Sequence, residues 1–417
     1  MLDDRVQFHP LSFLTERNPD EVLVGRPDTE SYAVLPADGA AVLERMTAGS
    51  TPAEAAAWYE AEYGAEIDMP DFLASLDALG FIRGQDAEVA APERPVGLRR
   101  LGRALFSPLA FAAAAVLLGC WIAAVVVHPD LAPDPHQVFF TRSALAVELL
   151  AVFGQLPWLF LHEGGHVLAG RRLGLRSSLG VGTRLYFVVF ETRMNGLLTV
   201  ERRRRYLPFL AGMAVDVVAV AGLGLLALAL RGPHGGQPLA GRIALAMAFP
   251  ILTRLAYQFL LYLRTDIYYV IATALGCHDL HEATRAVVLG RLRRLLRRPD
   301  PVVPAELWTE RDLRVARWYA PFFAASVAVL FTVGTLALVP IAVQLAQLVW
   351  HGLTGPVTSP HFWDSAVFVL LNASQVCFFA VVSLRERARR RAAGHRSAPK
   401  AGDRTAPSAS SPRREWA

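Results

Sequence analysis

Residues 159–170 read LFLHEGGHVLAG. His162 and His166 are four positions apart, so on a helix they share one face, with Glu163 next to the first. The stretch ends an apolar run long enough to cross a bilayer, where a charged side chain costs about 2.5 kcal/mol or more. Three such groups offset that cost only if they hold something together. Two imidazoles one turn apart can bind zinc, and the glutamate between them can act as general base toward an activated water.

Outward from this stretch, six apolar spans are predicted, at about 108–127, 143–170, 206–230, 244–264, 320–349 and 362–384. Each is near or above the roughly 20 residues that cross a bilayer as helix. The chain has one lysine, Lys400, so its positive charge is arginine, grouped in VGLRRLGR, RRLGLR, ERRRR, GRLRRLLRR and LRERARRRAAGHR. These runs alternate with the arginine-poor loops HPDLAPDPHQ, RGPHGGQPLAG and HGLTGPVTSPH. By the positive-inside rule, six spans with both termini in the cytoplasm satisfy every loop. Pro157 and Pro250 are placed to kink spans two and four. Asn195-Gly196, between two strand-like runs, predicts a type I′ turn and a hairpin over about 184–203.

The first 85 residues read as a small α+β, winged-helix-like cytoplasmic domain. EVLVG and SYAVL are strand-like, and PADGAAVLERM is a helix. STPAEAAAWYEAEYG and DMPDFLASLDALGFI are two more helices, with Ser50 or Thr51 and Asp68 as caps, Gly80 as a stop and a short strand after it. Residues 86–98 read as a linker, 99–389 as a mainly α six-span membrane domain with the short hairpin, and 390–417 as a disordered basic tail.

A zinc site with two histidines needs a third protein ligand. Asp266, in YLRTDIYYV, falls at the predicted cytoplasmic end of span four, and both histidines fall near the cytoplasmic end of span two. Asp216 lies deeper, in span three, as a ligand-orienting group, a substrate contact or a buried neutral acid. His278, Asp279, His281 and Glu282 follow span four in more aqueous surroundings. Depth favours Asp266, whose alternative role is an interfacial carboxylate paired with Arg264.

Composition narrows the class. Hydrophobic residues make up 53% of the chain, its mean hydropathy is +0.32, and its net charge is +5. The arginine runs flank apolar spans, so a bilayer explains them and nucleic acid is not an expected partner. No signal peptide is expected, because the first apolar span starts near Pro108. Cys120, Cys277 and Cys377 are far apart and form neither a disulfide framework nor a paired-cysteine zinc motif.

HEGGH in a membrane-spanning helix, with an aspartate near the end of a later one, resembles the site-2 protease family of intramembrane zinc metallopeptidases, over about residues 143–285. The resemblance implies that His162, His166 and Asp266 hold Zn2+ and that Glu163 activates water. Around Asp266 the chain departs from the family's Asn-Pro-x-Pro-x-Leu-Asp-Gly type and reads LRTDIYY, which looks like the peptide zinc metalloprotease branch. Residues 1–85 separately resemble PqqD-like domains, through FLASLDALGFI preceded by strands and LPADGAAVLERM. Such domains bind leader segments of ribosomally made, modified peptides. Together the resemblances imply a maturation protease that removes a leader, of the daptide type. Competing readings are proteolysis of a membrane-anchored regulator, a non-catalytic immunity or export component, and a transporter, for which the repeated halves are missing.

Overall fold

The computed structural model describes residues 4–15, 19–29, 31–83, 96–184, 187–277, 280–297, 308 and 310–396, in two units, Met1–Leu348 and Val349–Ala417. The chain is mostly helical, with a small N-terminal sheet and six helical segments long and apolar enough to cross a membrane.

At the N-terminus, β1 (Ser12–Thr15), β2 (Glu21–Arg26) and β3 (Ser31–Pro36) form an antiparallel meander with β2 central. Val24 lies opposite Phe13 on one side and Ala33 on the other. β1 was not among the predicted strands, and the expected strand after Gly80 is a single bridge, Phe8 to Ile82. Helices α1 (Ala37–Thr47), α2 (Pro52–Tyr63) and α3 (Met69–Ala78) follow. Thr51 and Glu54 close a reciprocal capping box on α2, and the Asp68 carboxylate caps α3. Tyr59 donates to Asp38 at 2.7 Å, tying α2 to α1 and holding the Asp38 carboxyl below its ordinary pKa. Val24, Val42, Leu43, Leu76 and Phe81 are wholly buried and form one apolar core confined to this part of the chain.

A short helix, α4 (Arg99–Leu105), leads into α5 (Pro108–Val127), which Ser107 caps. Span two is two helices, α6 (Ala144–Phe153) and α7 (Leu156–Arg172). The join falls at Gly154-Gln155, and Pro157 sits in the first turn of α7, where its missing N–H is no loss. Strands β4 (Arg176–Arg184) and β5 (Phe187–Asn195) then pair antiparallel.

This pairing corrects the predicted hairpin. Asn195-Gly196 is not its turn; Gly196, at φ 82°, ends β5 and starts a 3-10 turn over Leu197–Thr199. The segment that was to be the second strand is held differently. Thr199 Oγ1 donates to Gly196 O at 2.7 Å, and Arg205 donates to Leu198 O and Val200 O. The strand-connecting residues 185–186 lie outside the described residues.

The long helices α8 (Arg202–Leu230) and α9 (Leu239–Tyr257) pack through Val220, Ala227, Ala244, Ala248 and Ile251. Span four is shorter than predicted: α9 ends at Tyr257, a 3-10 turn covers Leu261–Leu263, and α10 (Asp266–Leu275) starts afresh. Asp266 therefore opens a separate short helix and does not end span four. Then come α11 (Leu280–Leu295), α12 (Glu310–Leu353) and α13 (Pro360–Arg396), which continues past position 389.

The N-terminal core gives a direct test. Leu43→Ala removes a fully buried side chain and should cost about 2–5 kcal/mol of local stability. Amide hydrogen exchange should rise across residues 19–83 while α7 and α8 keep their protection.

Candidate metal centre

Helices α7 and α8 cross where side chains are missing. A Cβ on Gly165 would lie 3.0 Å from Ala211 O and 3.0 Å from Val215 Cγ2. One on Gly212 would lie 2.3 Å from His166 Nε2 and 2.6 Å from His162 Nε2. The histidines thus occupy the volume that a side chain at position 212 would fill. Pro208, Gly212 and Asp216, four apart on α8, share the face that receives them. His166 Nδ1 donates to the Pro208 carbonyl at 2.7 Å, and His162 Nδ1 donates to Asp216 Oδ2 at 2.9 Å.

These partners set the tautomers. A carbonyl oxygen only accepts, so His166 Nδ1 carries its proton. Asp216, wholly buried, pairs with Arg254, whose Nε donates to Oδ2 at 2.9 Å and whose second nitrogen bonds Oδ1. The two Nε2 atoms face each other across 3.2 Å. Asp266 Oδ2 joins them, 3.5 Å from His162 Nε2 and 3.2 Å from His166 Nε2. That oxygen is buried and has no hydrogen-bond partner.

With both rings neutral, these would be three acceptors facing one point, which repel each other unless a cation lies between them. Ligand atoms bound at about 2.1 Å in a tetrahedron lie about 3.4 Å apart. The three separations match that edge length, and two imidazoles with one carboxylate form a zinc-type donor set. Among the described residues this is the one cluster of three such side chains.

Asp266 is brought in by the break after α9. Gln258 stitches it: its side-chain oxygen accepts from Asp266 N at 3.1 Å, and its backbone oxygen accepts from Thr265 Oγ1 at 2.5 Å. Arg264 takes a left-handed backbone, φ 51°. Three residues past Asp266, on the same face of α10, Tyr269 stacks on Phe209 of α8 with centroids 5.4 Å apart. This stack anchors the helix that carries the third ligand candidate. Arg264 does not pair with Asp266; it binds Glu282 at 2.8 Å.

Glu163 sits on α7 beside the cluster, half-buried. Thr192 of β5 has its hydroxyl 2.7 Å from Glu163 Oε2 and 3.0 Å from Glu163 O. Strand β4 is pinned nearby: Ser177 Oγ donates to Val167 O at 2.7 Å, and Arg171 donates to Ser177 O. The hairpin therefore runs back along α7, with Thr192 level with Glu163.

Of the residues singled out from sequence, His162, His166 and Asp266 converge. Asp216 is in contact with His162 through the ring nitrogen that faces away from the cluster. His281 packs its ring against Tyr268 and Phe323 instead, and His278 and Asp279 lie outside the described residues. Sequence reading missed Arg254, Thr192 and Gly212. The Pro208–Gly212–Asp216 spacing was the available signal for Gly212; Arg254 and Thr192 gave none. Compared with known proteins, the chain matches no family model, no curated protein and no solved structure.

Arg254→Met should leave the Asp216 carboxylate buried without its cation and cost about 3–5 kcal/mol. Asp216→Asn combined with Arg254→Met should cost less, since the amide oxygen still accepts from His162. Thermal unfolding of the detergent-solubilised variants measures both.

Proposed function

We propose that the chain is an intramembrane zinc metalloendopeptidase, with His162, His166 and Asp266 as metal ligands and Glu163 as general base. The reading is carried by one observation: three candidate ligand atoms from α7 and α10 meet at tetrahedral spacing. Zinc at such a site supplies Lewis acidity, polarising a carbonyl and making water nucleophilic at neutral pH. The protein side chains do the rest. Glu163 takes a proton from the attacking water and passes it to the departing amine nitrogen as the C–N bond breaks. Thr192 satisfies one carboxylate oxygen of Glu163 and leaves the other free to accept. Asp216 and the Pro208 carbonyl hold the two imidazoles in the ligating tautomer.

The substrate in this reading is a precursor peptide whose leader binds the winged-helix, PqqD-like domain at residues 1–85. Its scissile segment lies extended on an edge of the β4–β5 hairpin, beside Glu163. Helical peptide bonds are protected by their own hydrogen bonds, so the segment unwinds before attack. Tethering through residues 86–98 raises its effective concentration at the site. The arginine distribution supports cytoplasmic N- and C-termini in the cell membrane.

The purified chain should hold one zinc per molecule by elemental analysis. Glu163→Gln should keep the zinc and lose cleavage by on the order of 10²–10⁴-fold. Gly212→Ala should lose the zinc, because the new methyl takes the imidazoles' place. Full turnover in Glu163→Gln would end the protease mechanism, and zinc without cleavage of any peptide would mark a non-catalytic membrane component.

Deleting residues 1–85 should raise KM for a full-length precursor, taken from a neighbouring reading frame, and leave cleavage of a short core peptide nearly unchanged. Equal loss on both substrates would reduce the domain to a folding support.

A further inference from the structure

Away from the histidines, α4, the end of α7 and the start of α8 line an open cavity of about 540 Å³. Arg99 and Arg103 come from α4, Arg172 from α7 and Arg204 from α8, against one carboxylate on its wall, Glu201. Glu201 lies 3.4 Å from Arg204 in an exposed pair. Arg172 is fixed by donating to Phe106 O at 2.8 Å, while Arg99 and Arg103 have no side-chain partner among the described residues. The arginines are not gathered by accident of loop geometry. A Cβ on Gly102 would lie 2.3 Å from Leu168 O, so α4 is seated hard against α7, and Arg99 and Arg103 line the same cavity as Arg172. Four cations against one carboxylate leave the cavity with an excess of positive charge that favours an entering anion.

The other side of α4 says what kind of anion. Leu98, Leu101 and Leu105 are 55%, 45% and 52% exposed. They form an apolar stripe beside the arginines, at the end of α5, a helix apolar enough to span a membrane. A basic face next to an exposed leucine stripe is the pattern of a helix lying at the bilayer surface. Basic pockets between spans at that level take phosphate headgroups. We propose that this cavity binds the phosphodiester headgroup of an anionic phospholipid, with its acyl chains along the α4 leucines. The lipid ties α4 to the adjoining ends of α7 and α8, the two helices whose crossing seats the histidines.

The test uses the full chain in a neutral detergent, with phosphatidylglycerol or phosphatidylcholine added and thermal unfolding followed. Phosphatidylglycerol should raise the midpoint in a saturable way, and phosphatidylcholine should not. Arg99→Gln with Arg103→Gln should weaken the phosphatidylglycerol response about thirtyfold. Arg100→Gln with Arg203→Gln removes equal charge outside the cavity and should leave it intact. Arg99→Lys with Arg103→Lys, which keeps the charge, should retain most of the response and guards against simple misfolding. An equal loss in the Arg100/Arg203 pair would reduce the effect to diffuse surface charge and overturn the site. Inorganic phosphate matching the lipid would assign the cavity to a soluble anion. Saturable binding of an acidic peptide, without selectivity between the lipids, would assign it to a polypeptide.

Discussion

Everything at the centre of this protein depends on how closely α7 and α8 approach. Between apolar helices there is no hydrophobic force to spare, and close packing needs small residues at the contact. Gly165 and Gly212 supply them, one on each helix. Had either carried a methyl group, the imidazoles could not reach the Pro208 carbonyl and the Asp216 carboxylate. Those two acceptors then decide which ring nitrogens are left bare. Backbone approach thus fixes which ring nitrogens face the Asp266 carboxylate.

The buried carboxylate carries the same logic one step outward. Asp216 accepts from His162 and is itself gripped by Arg254, which also reaches toward the Trp158 carbonyl at 3.4 Å. A lone charge at this depth would be expensive; a charge pair that also serves a histidine is satisfied on each side. This links α7, α8 and α9 by polar contacts within segments that otherwise cohere by packing alone.

Much of this is legible in the sequence alone. The spans follow from apolar length, and the helix caps Thr51 and Asp68 from their residue types. His162 and His166 follow from four-residue spacing inside an apolar run. Depth points to Asp266 but not to its setting, because LYLRTD gives no sign that Gln258 bonds across the break and that a helix restarts at Asp266. The hairpin was placed too late because Asn-Gly is a strong local signal. RSSLGVGTR, with two glycines and two serines, has little strand propensity, yet it pairs. Tertiary fit against α7, through Ser177, overrides that weakness. Arg254 and Thr192 could not be found from sequence, because their partners lie 38 and 29 positions away.

The restart at Asp266 has a further consequence. His166 and Asp266 are separated by a long stretch of chain that includes all of α8 and α9, so an ion gripping both would close a large loop. Closing such a loop costs chain entropy, and the cost grows only slowly with its length. Here the α8–α9 interface has already brought the ends together, through Val220, Ala227, Ala244 and Ile251. On the proposed zinc reading, the tightness with which the three atoms would hold the ion is a gauge of that distant packing. On that reading, a cavity opened at Ile251 would loosen the grip at Asp266 without touching a proposed ligand.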